Sequence, residues 1–113
     1  MSDEVVVFVT CPSEAADEIA AQLVTESLAA CVNIVRSVTS VYRWEGRIEK
    51  DEESLLVIKS RLKLWDSLEN RIRELHSYDV PEMICIPIVE GLQPYLDWLK
   101  ASLTGDGQKL GTK

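Results

Sequence analysis

The apolar positions of the first thirty residues predict a strand followed by a helix. Residues 5–9 are an unbroken run of valine and phenylalanine, which is typical of a buried central strand. From Ala16 to Leu28 the apolar side chains recur at helical spacing. Ser13 precedes them and is a favoured N-cap residue, so we predict a helix over residues 13–29.

The next segment predicts one long hairpin. Residues 31–44 are rich in Val, Ile, Thr and Tyr, and their apolar alternation is interrupted near Arg36, where we expect a β-bulge or a bend. Glu45 and Gly46 have the composition of a hairpin turn. Residues 47–60 form the returning strand, which is polar in its first half and apolar in its second. We therefore expect a solvated tip and a buried base.

The last third of the ordered chain predicts a helix, a strand and a short helix. Apolar spacing favours an amphipathic helix over 62–76, and residues 83–89 indicate a fourth strand. Pro87 has no backbone donor, so this strand should lie at a sheet edge or lose its pairing at Pro87. Residues 1–103 are interpreted as one domain and 104–113 as a disordered tail. The short third helix is marked by Leu96, Leu99 and Leu103.

This order of elements, β-α-β-β-α-β plus a helix, indicates the ferredoxin-like arrangement in the α+β class. Both main helices should pack on one face of a four-stranded antiparallel sheet. The other face then needs cover, because the long hairpin carries too many Val, Ile and aromatic side chains for a solvated surface. An apolar patch of that size usually marks an interface, so we predict an oligomer.

Charge and composition limit the partners. The 113 residues have a formal net charge of −7 and contain no basic run, which argues against nucleic acid and favours cations as charged partners. No apolar stretch approaches the roughly 20 residues that span a bilayer, and the acidic N-terminus lacks the features of a signal peptide. We expect no membrane association and a cytoplasmic location. The three widely spaced cysteines indicate free thiols.

Three residues are candidate metal ligands. His76 is the only histidine, and neutral imidazole is a leading ligand for copper and zinc. Glu82 follows six residues later in the same predicted loop and can fold back beside it. The alternative is that His76 caps the second helix. Cys11 follows the first strand, but a lone thiolate is a poor chelate for copper(I), and a buried thiol is the alternative.

Other candidates concern a cleft between subunits. Tyr42 and Trp44 are interpreted either as interface packing or as the wall of such a cleft. Tyr78, in the loop after the second helix, is a further candidate for its lining. Lys59 ends an apolar strand, where it can pair with Glu82 or another carboxylate, or receive an anionic ligand. The acidic run 49–53 is interpreted as a solvated hairpin tip, with weak binding of a hard cation as the alternative.

Several segments, taken together and in order, resemble the CutA family of divalent-cation tolerance proteins. The most specific are the Tyr-x-Trp-Glu-Gly of residues 42–46 and the His-x-Tyr-x-x-Pro-Glu of residues 76–82. The family commonly has proline where this chain has Ser77. The other segments are Val9-Thr10-Cys11-Pro12, Leu28-Ala29-Ala30-Cys31-Val32-Asn33, Glu53, Ile58-Lys59-Ser60 and Tyr95-Leu96-Asp97-Trp98.

The resemblance implies a ferredoxin-like subunit in a homotrimer, with the architecture of the PII signalling proteins. It also implies binding of divalent metal ions including copper, a part in metal tolerance, and no catalytic activity. An RNA-binding domain of this fold would need a basic sheet face, which the acidic balance opposes. An acylphosphatase-like enzyme would need glycines and an arginine that residues 10–14 lack. A PII-like small-ligand sensor using the cleft between subunits remains the alternative function.

Overall fold

Four strands form a single antiparallel sheet in the order β2-β3-β1-β4. The structure is a computed structural model and describes residues 3–103. A short 3-10 turn, Leu62–Leu64, precedes α2. The elements are β1 (Glu4–Cys11), α1 (Ser13–Thr25), β2 (Cys31–Trp44), β3 (Arg47–Arg61), α2 (Trp65–Leu75), β4 (Met83–Pro87) and α3 (Gln93–Ser102).

Alternation along the two central strands places the main core on one side of the sheet. Val7 and Val9 of β1 pair with Ile58 and Leu56 of β3, and all four side chains are buried. They belong to one core cluster with residues of α1 and α2, which include Ile19, Leu23, Leu68 and Ile72. Both helices therefore cover the same sheet face, as the sequence predicted. The opposite face, here called the open face, carries Val6, Phe8, Thr10, Asn33, Leu55, Val57, Lys59, Ile84 and Ile86.

The bulge predicted in β2 is confirmed. The pairing of β2 with β3 shifts between Val35 and Val38, and Ser37 between them has a φ of 61°. Side chains on a strand alternate between the two sheet faces. One extra residue on β2 therefore moves the residues that follow it to the opposite face. Ile34 before the bulge lies on the core face, whereas Val38 after it lies on the side of the open face.

Beyond the bulge, β2 and β3 continue as a two-stranded ribbon. β3 pairs with β1 only over residues 54–61. Residues 38–53, here called the hairpin ribbon, therefore have no third strand beside them among residues 3–103. Its turn has φ values of 49° at Glu45 and 80° at Gly46, as a tight hairpin turn requires. The molecule is correspondingly elongated, with extents of 48 × 27 × 24 Å.

Helix α1 is shorter than its apolar spacing predicted. It ends at Thr25 because Ser27 adopts a left-handed φ of 59°. The backbone N–H of Leu28 donates to the carbonyl of Leu23 at 2.9 Å, which closes the helix as in a Schellman motif. The prediction of Ser13 as the N-cap is wrong, because Ser13 is already helical and no side chain caps this end.

The C-terminal elements complete the fold. β4 is an edge strand that ends at Pro87, which confirms its predicted position but not its predicted length to residue 89. Helix α3 buries Leu96 and Leu99 apart from the main core and contacts β1 and β3. Within residues 3–103, no helix is both long and apolar enough to span a membrane. The predicted tail, 104–113, lies outside the described residues.

Candidate functional site

His76 connects the end of α2 to the end of β1. Its backbone N–H donates to the carbonyl of Ile72 at 2.8 Å, which ends the helix, and its side chain is only 7% exposed. Nε2 lies 2.7 Å from the carbonyl oxygen of Thr10, and Nδ1 accepts from the backbone N–H of Tyr78 at 3.1 Å. A carbonyl can only accept, so the proton of this neutral imidazole is on Nε2.

Both ring nitrogens of His76 are therefore occupied by protein groups. The imidazole is directed at β1 and not at the last carbonyls of α2, so its role here is to hold the 76–82 loop against the sheet. A metal ion would need the lone pair of Nδ1, which the N–H of Tyr78 now uses. Binding through Nδ1 would replace that hydrogen bond.

Glu82 reaches the same point from the other end of the loop. The hydroxyl of Thr10 donates to Glu82 Oε1 at 3.4 Å, while the carbonyl of Thr10 accepts from His76. The structure thus brings His76 and Glu82 to one residue at the end of β1. Glu82 is exposed, so its carboxylate is open to solvent and to other molecules.

Cys11 is adjacent in sequence to Thr10, but its thiol is buried. It is 0% exposed and pairs with Ser54 on the core side of the sheet. Burial, followed by the charges of Glu53 and Glu14, raises the pKa of Cys11 to about 11. The thiolate is the form that binds metals, and this environment opposes it. Within residues 3–103, no group of three or more His, Cys, Asp or Glu side chains is arranged to hold an ion.

The buried thiol leads to a labelling prediction. With a pKa near 11, only about one molecule in a thousand has a Cys11 thiolate at pH 8. We expect a thiol reagent to label the native protein as quickly in Cys11→Ser as in the wild type, because Cys31 and Cys85 are the more exposed thiols. After denaturation, the variant should lose one label. A slower native reaction in Cys11→Ser would contradict the burial of this thiol.

A tyrosine–carboxylate cluster lies beside the loop and was missed from the sequence. The Tyr78 hydroxyl donates to Glu53 Oε2 at 2.9 Å, and the Tyr42 hydroxyl donates to Asp51. Burial raises the pKa of Tyr78 to about 12, with the Glu53 hydrogen bond as the next cause. The Asp51 hydrogen bond is the main cause that raises the pKa of Tyr42 to about 12. Glu53 is buried, so the prediction of a wholly solvated tip over 49–53 is wrong at this residue.

The predicted cleft residues are widely separated within one chain. Lys59 lies on the open face, where it donates to Asn33 Oδ1 and not to Glu82. Trp44 lies at the far end of the hairpin ribbon, opposite Arg47. Residues 47 and 59 are twelve positions apart on β3, which is about 40 Å along a strand. A cleft that contains both Trp44 and Lys59 therefore needs residues from two copies of the chain.

The fold places the protein in the class of ferredoxin-like α+β proteins. Two βαβ units share one antiparallel sheet, both main helices cover the same face, and a further helix follows. The chain belongs to the CutA1 divalent ion tolerance protein family, whose sequence model matches residues 5–102. The resemblance found from the motifs is thereby confirmed.

Relatives and solved structures agree with this family. The divalent-cation tolerance protein CutA of Thermus thermophilus is 50% identical over 98 residues, covering 86% of this chain and 95% of the relative. The chloroplastic protein CutA of Arabidopsis thaliana is 50% identical over 99 residues, covering 87% of this chain and 54% of the relative, so the chain spans about half the length of that relative. The crystal structure of CutA1 from Oryza sativa has a TM-score of 0.87 at 48% identity and covers 89% of this chain and 94% of that one.

Proposed function

We propose that this chain acts in divalent-cation tolerance as a metal-binding homotrimer, with copper among the ions that it binds. The family match over residues 5–102 is the observation that carries this function. The net charge of −7 supports it, because an acidic protein attracts cations. The open face supports assembly, since exposed apolar side chains such as Ile84 and Ile86 lie on it.

The proposed metal site is built around His76 and Glu82 at the end of β1. The metal takes the Nδ1 lone pair of His76 after displacing the N–H of Tyr78, and the exposed carboxylate of Glu82 is the second donor. One chain supplies no third donor among its described residues, so the site is completed by a neighbouring copy or by solvent. Losing a buried hydrogen bond costs about 1 kcal/mol, so the affinity is modest. Cys11 is a distant third candidate, because its thiol is buried and protonated.

Replacing His76 by alanine should weaken copper binding at least tenfold without dissociating the trimer. The physical reason is loss of the only imidazole, the donor that copper prefers among the candidate ligands. Calorimetric titration of the reduced, metal-free protein with copper and zinc measures the binding, and light scattering measures the mass.

Two control variants distinguish ligand loss from loop damage. His76→Gln keeps an N–H donor for the Thr10 carbonyl but lacks an imidazole, so it should also lose copper binding. Asp66→Asn removes an exposed carboxylate at the start of α2, away from the site, and should bind copper like the wild type. Equally tight copper binding by His76→Ala would remove His76 from the site.

A second candidate function is that of a PII-like sensor for a small anion. Lys59 supports it, because within residues 3–103 this half-buried cation forms no ion pair and meets only the neutral Asn33. An anion held between copies would supply the missing charge. The same titration, repeated with nucleotides and with the variant Lys59→Met, separates the candidates. A trimer that ignores metals but binds a nucleotide through Lys59 would favour the sensor.

We also propose that this chain is a binding protein without enzymatic activity and that it is located in the cytoplasm. The absence of catalysis is supported by Cys11, whose burial and raised pKa are the opposite of an activated nucleophile. The cytoplasmic location is supported by three free cysteines, which suit a reducing compartment. Cell fractionation tests the location, and recovery of the protein outside the cytoplasm would reject it.

A further inference from the structure

The side chain of Tyr78 covers the imidazole of His76. The centroids of the two rings lie 4.6 Å apart, and the backbone N–H of Tyr78 occupies Nδ1 of His76 at 3.1 Å. The other ring nitrogen donates to the carbonyl of Thr10, so Nδ1 holds the only lone pair of this imidazole. His76 is 7% exposed although residues 77–80 beside it are all exposed. A reagent must therefore displace Tyr78 before it reaches Nδ1.

A carboxylate from another element holds the hydroxyl of Tyr78. This hydroxyl donates at 2.9 Å to Oε2 of Glu53, which lies on β3 at the end of the hairpin ribbon. Glu53 is only 6% exposed, and a buried carboxylate is costly unless it accepts hydrogen bonds. Hydrogen bonds to ionised groups are also stronger than those between neutral groups. The bond to Glu53 thus stabilises Tyr78 in the position that covers His76.

Tyr78 can nevertheless move without disturbing the core. It is 40% exposed and lies outside the hydrophobic cluster under α1 and α2. Rotation of Tyr78 into solvent breaks two hydrogen bonds, one to Glu53 and one to His76, and leaves the Nδ1 lone pair free. The apparent affinity of a ligand falls in proportion to the fraction of molecules that can bind it. Any ligand of Nδ1 therefore binds in proportion to the fraction of molecules with Tyr78 displaced.

We propose that Tyr78 is a gate over His76 and that its hydrogen bond to Glu53 holds the gate closed. In the closed state the Nδ1 lone pair accepts from the backbone of Tyr78, and in the open state it is free to bind a metal ion. The inference rests on the proposed metal site at His76 and adds the two residues that control access to it. The gate itself belongs to the metal-free protein and can be measured without a metal.

Acylation of His76 by diethyl pyrocarbonate measures the gate directly. The free lone pair of a neutral imidazole attacks this reagent, and His76 is the only histidine in the chain. At pH 8 imidazole groups in an unfolded chain are neutral, and mass spectrometry of the peptide that contains residue 76 gives the rate. We expect the native wild type to react at least tenfold more slowly than the chain unfolded in urea. Equal rates would overturn the gate.

Removing the hydrogen bond between Tyr78 and Glu53 should speed the acylation. Tyr78→Phe and Glu53→Leu should each raise the rate about tenfold, the usual effect of a hydrogen bond to an ionised group. The double variant should react no faster than either single variant, because both changes remove one bond. Glu53→Gln keeps an acceptor and should react more slowly than Glu53→Leu. The control Tyr42→Phe removes a similar bond, that to Asp51, and should leave the rate unchanged.

Copper titration of the same variants separates the gate from the proposed metal site. Acylation and metal binding need the same lone pair, so Tyr78→Phe should tighten copper binding by the factor by which it speeds acylation. An unchanged acylation rate in Tyr78→Phe would overturn the gate, as would single-variant effects that multiply in the double variant. Faster acylation with no copper binding, or with an unchanged copper affinity, would reject the metal site at Nδ1 and leave the gate intact.

Discussion

Replacing Leu56 by alanine is expected to lower the free energy of unfolding by about 2–5 kcal/mol. Leu56 is at the centre of the sheet, where it pairs with Val9 of β1 and Ile34 of β2. Its side chain is 0% exposed and packs in the cluster under α1 and α2. The loss combines the transfer free energy of the removed carbons with the cavity that a close-packed core cannot refill. Urea unfolding followed by circular dichroism measures it.

The matched control is the same substitution at Leu62, which is 57% exposed in the turn before α2. Leu62→Ala should change the free energy of unfolding by no more than about 0.5 kcal/mol. Both variants must be compared at one protein concentration, because assembly stabilises the folded subunit by mass action. Equal losses in the two variants would show that the core is not centred on β3.

The positions of the strands were predictable because the apolar and polar residues along each strand show which of its faces is buried. In β1 the core positions and the open-face positions are both apolar, which indicated a strand buried on both sides. In β2 the apolar side chains change from one alternating set of positions to the other near Arg36, which a bulge or a bend can produce, and the structure has the bulge. The position of this irregularity therefore followed from the sequence before its dihedral angles were known.

The site contacts were not predictable, because their partners are far apart in the chain. His76 was identified as a chemically notable residue, but its partner Thr10 is 66 residues away and contributes a backbone carbonyl. Every residue has a backbone carbonyl, so no pattern of side chains in the sequence indicates which one accepts this hydrogen bond. Likewise, Glu53 lies in a polar run and looked solvated, whereas the hydroxyl of Tyr78 covers it. A weak signal existed in the i, i+2 spacing of Glu49, Asp51 and Glu53, which places them on one face of a strand.

The proposed trimer would bring the separate candidate residues of the cleft together. Trp44 and Lys59 lie about 40 Å apart along one chain and can share a cleft only between copies. Tyr78 lies between Trp44 and Lys59. Its hydroxyl donates to Glu53, at the point where the ribbon leaves the sheet. In the proposed trimer, a neighbouring copy bound there would bring new side chains to the 76–82 loop. Metal binding at His76 and formation of the proposed trimer are therefore expected to be coupled.

Trp44→Asp is expected to dissociate the proposed trimer while leaving each subunit folded. Trp44 is 61% exposed in the single chain, so a carboxylate at this position would be hydrated in the free subunit and would cost little there. In the proposed trimer the same carboxylate would be buried on a ribbon face that already carries three carboxylates against the single guanidinium of Arg47. Loss of a buried interface tryptophan alone commonly weakens binding by about 2–4 kcal/mol.

Sedimentation and circular dichroism together decide this prediction. The variant should sediment as a monomer at a concentration where the wild type is a trimer, and its far-ultraviolet spectrum should remain that of a folded α+β protein. Trp44→Phe keeps an aromatic ring without adding charge, so it should retain most of the trimer. An intact Trp44→Asp trimer would place this tryptophan outside the interface. Such a trimer would also mean that the ribbon face carrying Trp44 and Glu49 is solvated in the assembly.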